Sequence, residues 1–143
     1  MPVVVDDRLL FNVLAGTAPL PLIRELEAGG LYTTSCAYYR LGRAITAGSG
    51  TGSLSGLLSS LEAEIRGQVL LALRDLPPNI GLIHHRVTVP VMLELRVRRP
   101  LNMINAETLA VAVLIGGSVA VTTDTSLLRE SASDLGLNYQ VFS

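Results

Sequence analysis

Three consecutive valines, Val3 to Val5, constrain this chain more than any other feature. Side chains alternate between the two faces of a strand, so a run that is apolar at every position is dry only when both faces are covered. Residues 2–5 therefore read as a buried parallel strand. Parallel neighbours need long crossovers, usually helical, so this run commits the fold to α/β before any other segment is considered.

The rest of the chain supplies the crossovers. Leu9, Leu10, Val13 and Leu14 recur at helical spacing up to Gly16. Pro21 fits the start of a second helix with Leu22, Ile23 and Leu26 inward, stopped by Gly29-Gly30. Residues 31–34 are short and extended, and a third helix is expected over residues 35–45. The glycine- and serine-rich stretch 47–56 reads as a flexible loop. Leu54, Leu57, Leu58, Leu61, Ile65, Val69, Leu73 and Leu76 predict one long amphipathic helix ended by Pro77-Pro78. Residues 80–83 read as a strand, and residues 88–99 as a helix with Pro90 in its first turn. Asn102 or Asn105 can cap a helix that runs to Ile115, is apolar almost all round, and closes at Gly116-Gly117. Residues 118–122 form a strand, Leu127, Leu128, Ala132 and Leu135 mark a short helix, and residues 138–142 form a last strand. The expectation is one soluble domain over residues 1–143, three-layer α/β/α, with a central, mostly parallel sheet and right-handed crossovers.

Composition narrows the functional classes. The net charge of −1 gives no global field to attract nucleic acid. There is no lysine, which removes a Walker phosphate loop from the Gly-rich stretch 47–56 and the late lysine of a phosphorelay receiver. A receiver also needs an acceptor Asp after a central strand, and no Asp lies between Asp7 and Asp75. The single cysteine, Cys36, allows no internal disulfide and suits a reducing cytoplasm. The apolar stretches are too short or too interrupted to cross a bilayer, and MPVVVDD, with no basic region and no cleavage-like site, gives no expectation of a signal peptide.

Open parallel sheets bind ligands beyond the carboxyl ends of their strands. Asp6 follows the first strand and Asp124 follows the strand at 118–122, so both carboxylates fall on one rim. If those strands are neighbours, two hard oxygen donors converge, which suits Mg²⁺ or Mn²⁺. Each Asp would otherwise cap the helix that follows it. His84 and His85 are adjacent and, on a strand, would face opposite sides; Cys36 has no evident His partner. Arg96, Arg98 and Arg99 could meet phosphates or complement a helix end. Tyr38 and Tyr39 with Arg40 and Arg43 could stack on and grip a single strand, or divide between core and surface.

The order of these segments resembles a known family. The stretch LNMINAETLAVAVLIGGSVAVTTDTSLL, followed by LGLNYQVF, resembles the C-terminal half of PIN domains, the PIN-like, VapC-type ribonuclease superfamily. There a helix opening with an acid and alanine leads through a Gly-containing turn to a strand ending in Thr-x-Asp, here Thr122-Thr123-Asp124. VVVDDRLLFNVL resembles that family's first strand with its leading Asp, and IGLIHHRVTVPVMLELRVRR the strand and helix before the acidic helix. The resemblance implies a Mg²⁺- or Mn²⁺-dependent ribonuclease, possible toxin of a toxin–antitoxin pair, with RNA and a cognate antitoxin protein as partners. It places Asp6 and Asp124 as catalytic and metal-binding carboxylates, with Asn105 or Glu107 completing the shell. The site departs from the pattern: Asn105 stands where an acid is expected, Glu107 lies about 200° further round an ideal helix, and CAYYRLGRAI lacks the acid of the third helix. The alternative is a catalytically inactive PIN-like interaction module with a lost or weak metal site. A chain this apolar is also expected to cover a face with a second copy as a homodimer.

Overall fold

The structure is a computed structural model and describes residues 1–46 and 53–143. Its strands are β1 (Val3–Val5), β2 (Leu31–Tyr32), β3 (Ser118–Val121) and β4 (Asn138–Val141). They form one sheet in the order β2-β1-β3-β4 with every pairing parallel. The helices are α1 (Asp7–Ala15), α2 (Leu20–Glu27), α3 (Ser35–Thr46), α4 (Ser53–Ser59), α5 (Ala63–Arg74), α6 (His85–Arg98), α7 (Met103–Ile115) and α8 (Ser126–Asp134).

The valine run does what its pattern requires. Val3 and Val5 join one apolar cluster with residues of α1, α2, α3 and α5, while Val4 joins a second with residues of α6, α7 and α8. Strand β3 divides in the same way: Ala120 belongs to the first cluster, Val119 and Val121 to the second. One sheet between two helical layers gives the three-layer α/β/α arrangement. Helix α7 is apolar almost all round because it is packed on several sides, with residues 106–112 buried. Gly117 then lets β3 start close beside β1: a Cβ there would lie 2.1 Å from the Pro2 carbonyl oxygen.

Four expectations are corrected. The long helix over residues 54–76 is two helices, α4 and α5, separated at residues 60–62. The Ser59 and Ser60 hydroxyls donate to the Gly56 and Leu57 carbonyls at 2.9 and 2.7 Å, and Glu62 takes an extended conformation as the cap of α5. Serines that bond back to the previous turn compete with helix continuation. The apolar face survives the break, since Leu58 and Val69 are buried and Leu57, Leu61, Ile65, Leu73 and Leu76 pack on the same core. Residues 80–83 are not a strand: a single parallel bridge joins Gly81 to Tyr32, where any side chain on residue 81 would run into the tyrosine ring. Pro90 sits in the second turn of α6, because the helix begins earlier, at His85. The histidines are therefore not on a strand: the His84 Nδ1 accepts from the Arg86 N–H at 3.0 Å and caps α6. The glycine-rich stretch falls mostly outside the described residues, and its end, from Ser53, opens α4.

No single helix among the described residues is long and apolar enough to cross a membrane. Helices α1 and α2 reach that measure only as a pair bent by 77°, and α1 is buried in the first cluster.

Candidate functional site

Because β1 and β3 are parallel neighbours, their carboxyl ends share one rim. Asp6 leaves β1 in an extended conformation and caps α1, its Oδ1 accepting the Leu9 N–H at 2.9 Å. Its Oδ2 accepts from Thr122, the residue just after β3, through the backbone N–H at 2.7 Å and the hydroxyl at 2.9 Å. The Asp6 N–H in turn donates to the Ala120 carbonyl at 3.3 Å. One carboxylate thus locks the first helix, the first strand and the third strand together, so the capping and ligand readings of Asp6 meet in the same side chain.

The rim continues toward β2. The fully buried Thr33 donates its hydroxyl to the Val5 carbonyl at 3.2 Å, which ties the end of β2 to the end of β1. The Thr34 hydroxyl accepts the Ala37 N–H at 3.0 Å and caps α3. Beside it, the Cys36 N–H donates to Glu107 Oε1 at 2.8 Å. Glu107 is 1% exposed, the most deeply buried acid among the described residues. A buried carboxyl needs donors, and the open N–H groups at the start of α3 provide one. Burial first, then hydrogen bonding and charge from Glu107, push the Cys36 thiol up to about 11. That keeps Cys36 a thiol near neutral pH.

Of the two residues weighed on α7, the helix turns Glu107 into the structure. Asn105 is partly buried, and its N–H donates to the Asn102 side chain, which is the cap of α7. Asp7 faces α3 instead, with Arg40 Nε at 3.7 Å from its Oδ2. Residues of one-strand spacing thus diverge: Asp6 enters the rim and Asp7 leaves it.

Asp124 is built differently. It lies three residues past β3, its side chain 44% exposed, and it forms an ion pair with Arg129 of α8. The Tyr139 hydroxyl of β4 donates to its Oδ1 at 3.1 Å and accepts the Thr125 N–H at 3.3 Å. Burial is the main cause that raises the Tyr139 phenol, with hydrogen bonding and charge from Asp124 acting in the same sense. These partners lie on the β4 side of β3, whereas Asp6 approaches β3 from β1. The two acids share a rim but are anchored toward opposite sides of one strand.

Among the described residues, no group of three or more His, Cys, Asp or Glu side chains is arranged to hold a metal. The donor chemistry of the rim is nevertheless hard oxygen throughout. Asp6 Oδ1 has one described donor, which leaves it a lone pair, and Glu107 brings a second carboxyl to the same end of the sheet. Two carboxylates completed by water are the donor set that Mg²⁺ accepts.

A groove of about 720 Å³ runs from Ser35, at this end of α3, between α3 and α5. Tyr38, Leu70, Leu71 and Leu73 line it, Tyr39 stands 68% exposed at its side, and Arg43 and Arg74 supply the charges among the described residues that line it. The Tyr38 hydroxyl donates to the Leu73 carbonyl and fixes the two helices together, so the tyrosine pair divides into one structural and one open ring. The arginine cluster also divides: Arg99 pairs with Glu130 and Asp134, while Arg96 and Arg98 are exposed.

No protein-family model matches the sequence, and no curated protein is significantly similar to it.

Proposed function

We propose that this chain is a PIN-like domain acting as a metal-dependent ribonuclease, with Mg²⁺ or Mn²⁺ at the rim of β1 and β3. The observation that carries the reading is that Asp6, held by Thr122, and the buried Glu107, held by the Cys36 N–H, both belong to the carboxyl end of the sheet, where α/β folds bind ligands. Asp6 and Glu107 would hold the ion, with Asp124 joining when Arg129 releases it. When bound, the ion supplies water activation and neutralises charge on a phosphodiester. The chain's own residues prepare the site. Thr122 and the Leu9 N–H fix the orientation of Asp6, and the Cys36 N–H fixes Glu107. Arg43 and Arg74 draw the phosphates of a single strand along the α3–α5 groove, and Tyr39 offers a face on which a base stacks. In this role the protein works in the cytoplasm as the toxin of a toxin–antitoxin pair, held in check by a cognate antitoxin protein.

A specific observation favours a second reading, an inactive interaction module on the same scaffold. The Asp124 carboxylate is already neutralised by Arg129, and Asp6 already accepts from three donors. Calorimetric titration with Mn²⁺ separates the two. The nuclease reading expects binding tighter than about millimolar, in the range typical of weak carboxylate sites, lost in Asp6→Asn and in Glu107→Gln. It also expects cleavage of labelled RNA with Mg²⁺ or Mn²⁺ that disappears in Asp6→Asn/Asp124→Asn. Absence of both metal binding and cleavage in the wild type would establish the module. Cleavage that persists in the double variant would place the active site elsewhere.

A further inference from the structure

Both oxygens of Asp124 are taken by side chains of its own chain. Oδ2 pairs with Arg129, and Oδ1 accepts the Tyr139 hydroxyl at 3.1 Å. Arg129 stands near the start of α8, at the end of a helix where the backbone dipole disfavours a cation. Local helix preference therefore does not place it there, and its pairing with Asp124 offsets the mismatch. Burial is the main cause that raises the Tyr139 phenol; beyond burial, Asp124 raises it and the Arg129 charge lowers it, so the three groups sense one another.

The segment that carries Asp124 is lightly tied. Thr122 bonds directly to Asp6, and Asp124 follows two residues later, a reach of at most about 7 Å along the backbone. Among the described residues, neither Thr123 nor Asp124 makes a backbone hydrogen bond, and the Thr125 N–H meets only the Tyr139 hydroxyl, at 3.3 Å. The Asp124 and Arg129 side chains are 44% and 49% exposed, so their pairing is weak and easily exchanged. The direction of the Asp124 carboxylate thus depends on two side chains, and a freed carboxylate this close to Thr122 can turn toward Asp6. A guanidinium and a divalent cation cannot share the same carboxylate oxygen, and their like charges repel.

We propose that Arg129 is a built-in competitor for the divalent cation: it withholds Asp124 from the rim until Mg²⁺ or Mn²⁺ displaces it. The proposal rests on the metal-binding reading of the rim and deepens it, because the third carboxylate is present but is held back by the chain's own cation. Arg129 then sets how much metal the rim needs before it is complete.

Calorimetric titration of the full chain with Mn²⁺ alone, without RNA, tests it. Arg129→Gln alters a half-exposed side chain, so the variant folds. It should tighten Mn²⁺ binding about fivefold, the weight of an exposed ion pair. Arg129→Lys keeps a cation and should stay within about twofold of the wild type. The gain must pass through Asp124, so in an Asp124→Asn background Arg129→Gln should gain less than about twofold. Binding that appears only in Arg129→Gln supports the proposal. Wild-type binding that Arg129→Gln leaves unchanged overturns it and leaves the metal reading standing. An equal gain in the Asp124→Asn background also overturns it, since Arg129 then acts only as a distant charge. Absence of Mn²⁺ binding in both the wild type and Arg129→Gln overturns it together with the metal reading.

Discussion

Asp6 and Asp124 close neighbouring parallel strands, yet the chain holds them in opposite ways. Asp6 is gripped by backbone N–H groups and one hydroxyl, all supplied by elements that the core already fixes. Asp124 is held by the ends of two side chains, Arg129 and Tyr139, at the surface. Backbone donors cannot swing away without unfolding, whereas an exposed arginine exchanges partners at little cost. The first arrangement gives a fixed carboxylate that also welds the sheet. The second gives a carboxylate whose neutralisation is reversible, which is what a residue that joins a site only on ligand binding needs. The same rim therefore combines a structural anchor with an adjustable neighbour.

This contrast fixes the order of the mutational effects. Asp6→Ala removes a helix cap and two bonds to Thr122, and should cost about 2–3 kcal/mol in urea unfolding. A loss under about 1 kcal/mol would show that water replaces those bonds and would break the distinction. Glu107→Gln keeps an oxygen for the Cys36 N–H and should cost about 1 kcal/mol. It also removes the second and third causes that hold the Cys36 thiol near 11 while leaving burial in place. The thiol should then titrate at lower pH, read as faster alkylation at a fixed pH of about 9, close to an ordinary cysteine value. Unchanged alkylation would mean that burial alone holds the proton.

Alkaline pH should act on both ends of the rim. The folded Cys36 value lies above the ordinary 9.0, so the stabilisation from its neutral form is complete below about 9 and is lost as pH rises through about 11. Tyr139 is raised as well and loses its contribution in the same direction. A melting temperature that fell less between pH 9 and 11 in Cys36→Ala than in the wild type would confirm the sign for the thiol. The smallest effect is expected at the surface: Asp124→Ala should change stability by less than about 0.5 kcal/mol, because an exposed ion pair contributes little. A larger loss would make Asp124 an anchor of the same kind as Asp6.

Much of this was legible in the residues. The valine run, the Asp6 cap, Asn102 as one of two cap candidates and the buried α7 follow from period and cap chemistry. Their local and tertiary preferences agree. The pairing of the first and 118–122 strands, by contrast, enters the sequence reading only as a condition and comes from the structure. The misreadings arose where a weak local term outweighed a correct periodicity. Ser59 and Ser60 break a helix whose leucine spacing is intact, because hydroxyl bonds to the previous turn leave no trace in an apolar pattern. Gly81 makes one bridge instead of a strand, and Pro90 is tolerated a turn deeper than the rule for helix starts allows. At the site, Asp6 could be placed from its position after a strand. The inward direction of Glu107 could not, since a charged residue on an apolar helix reads as its solvent face until the α3 N-terminus appears opposite it. The one available signal was that α7 is apolar on nearly every side, which leaves an acid on it no outer face to occupy.

The pairing of Val3 with Ser118 also sets the order of events during synthesis. Translation at about 5–20 residues per second keeps β1 waiting on the order of ten seconds for β3. Throughout that interval the central strand has only β2 for a neighbour, and its edge on the β3 side is open. An open, uncharged valine edge is a template for other nascent chains. The design that places the first-made strand at the middle of the sheet therefore makes yield sensitive to elongation rate and holdase chaperones. Slower translation of residues 60–117 should increase aggregation without changing the stability of the finished protein.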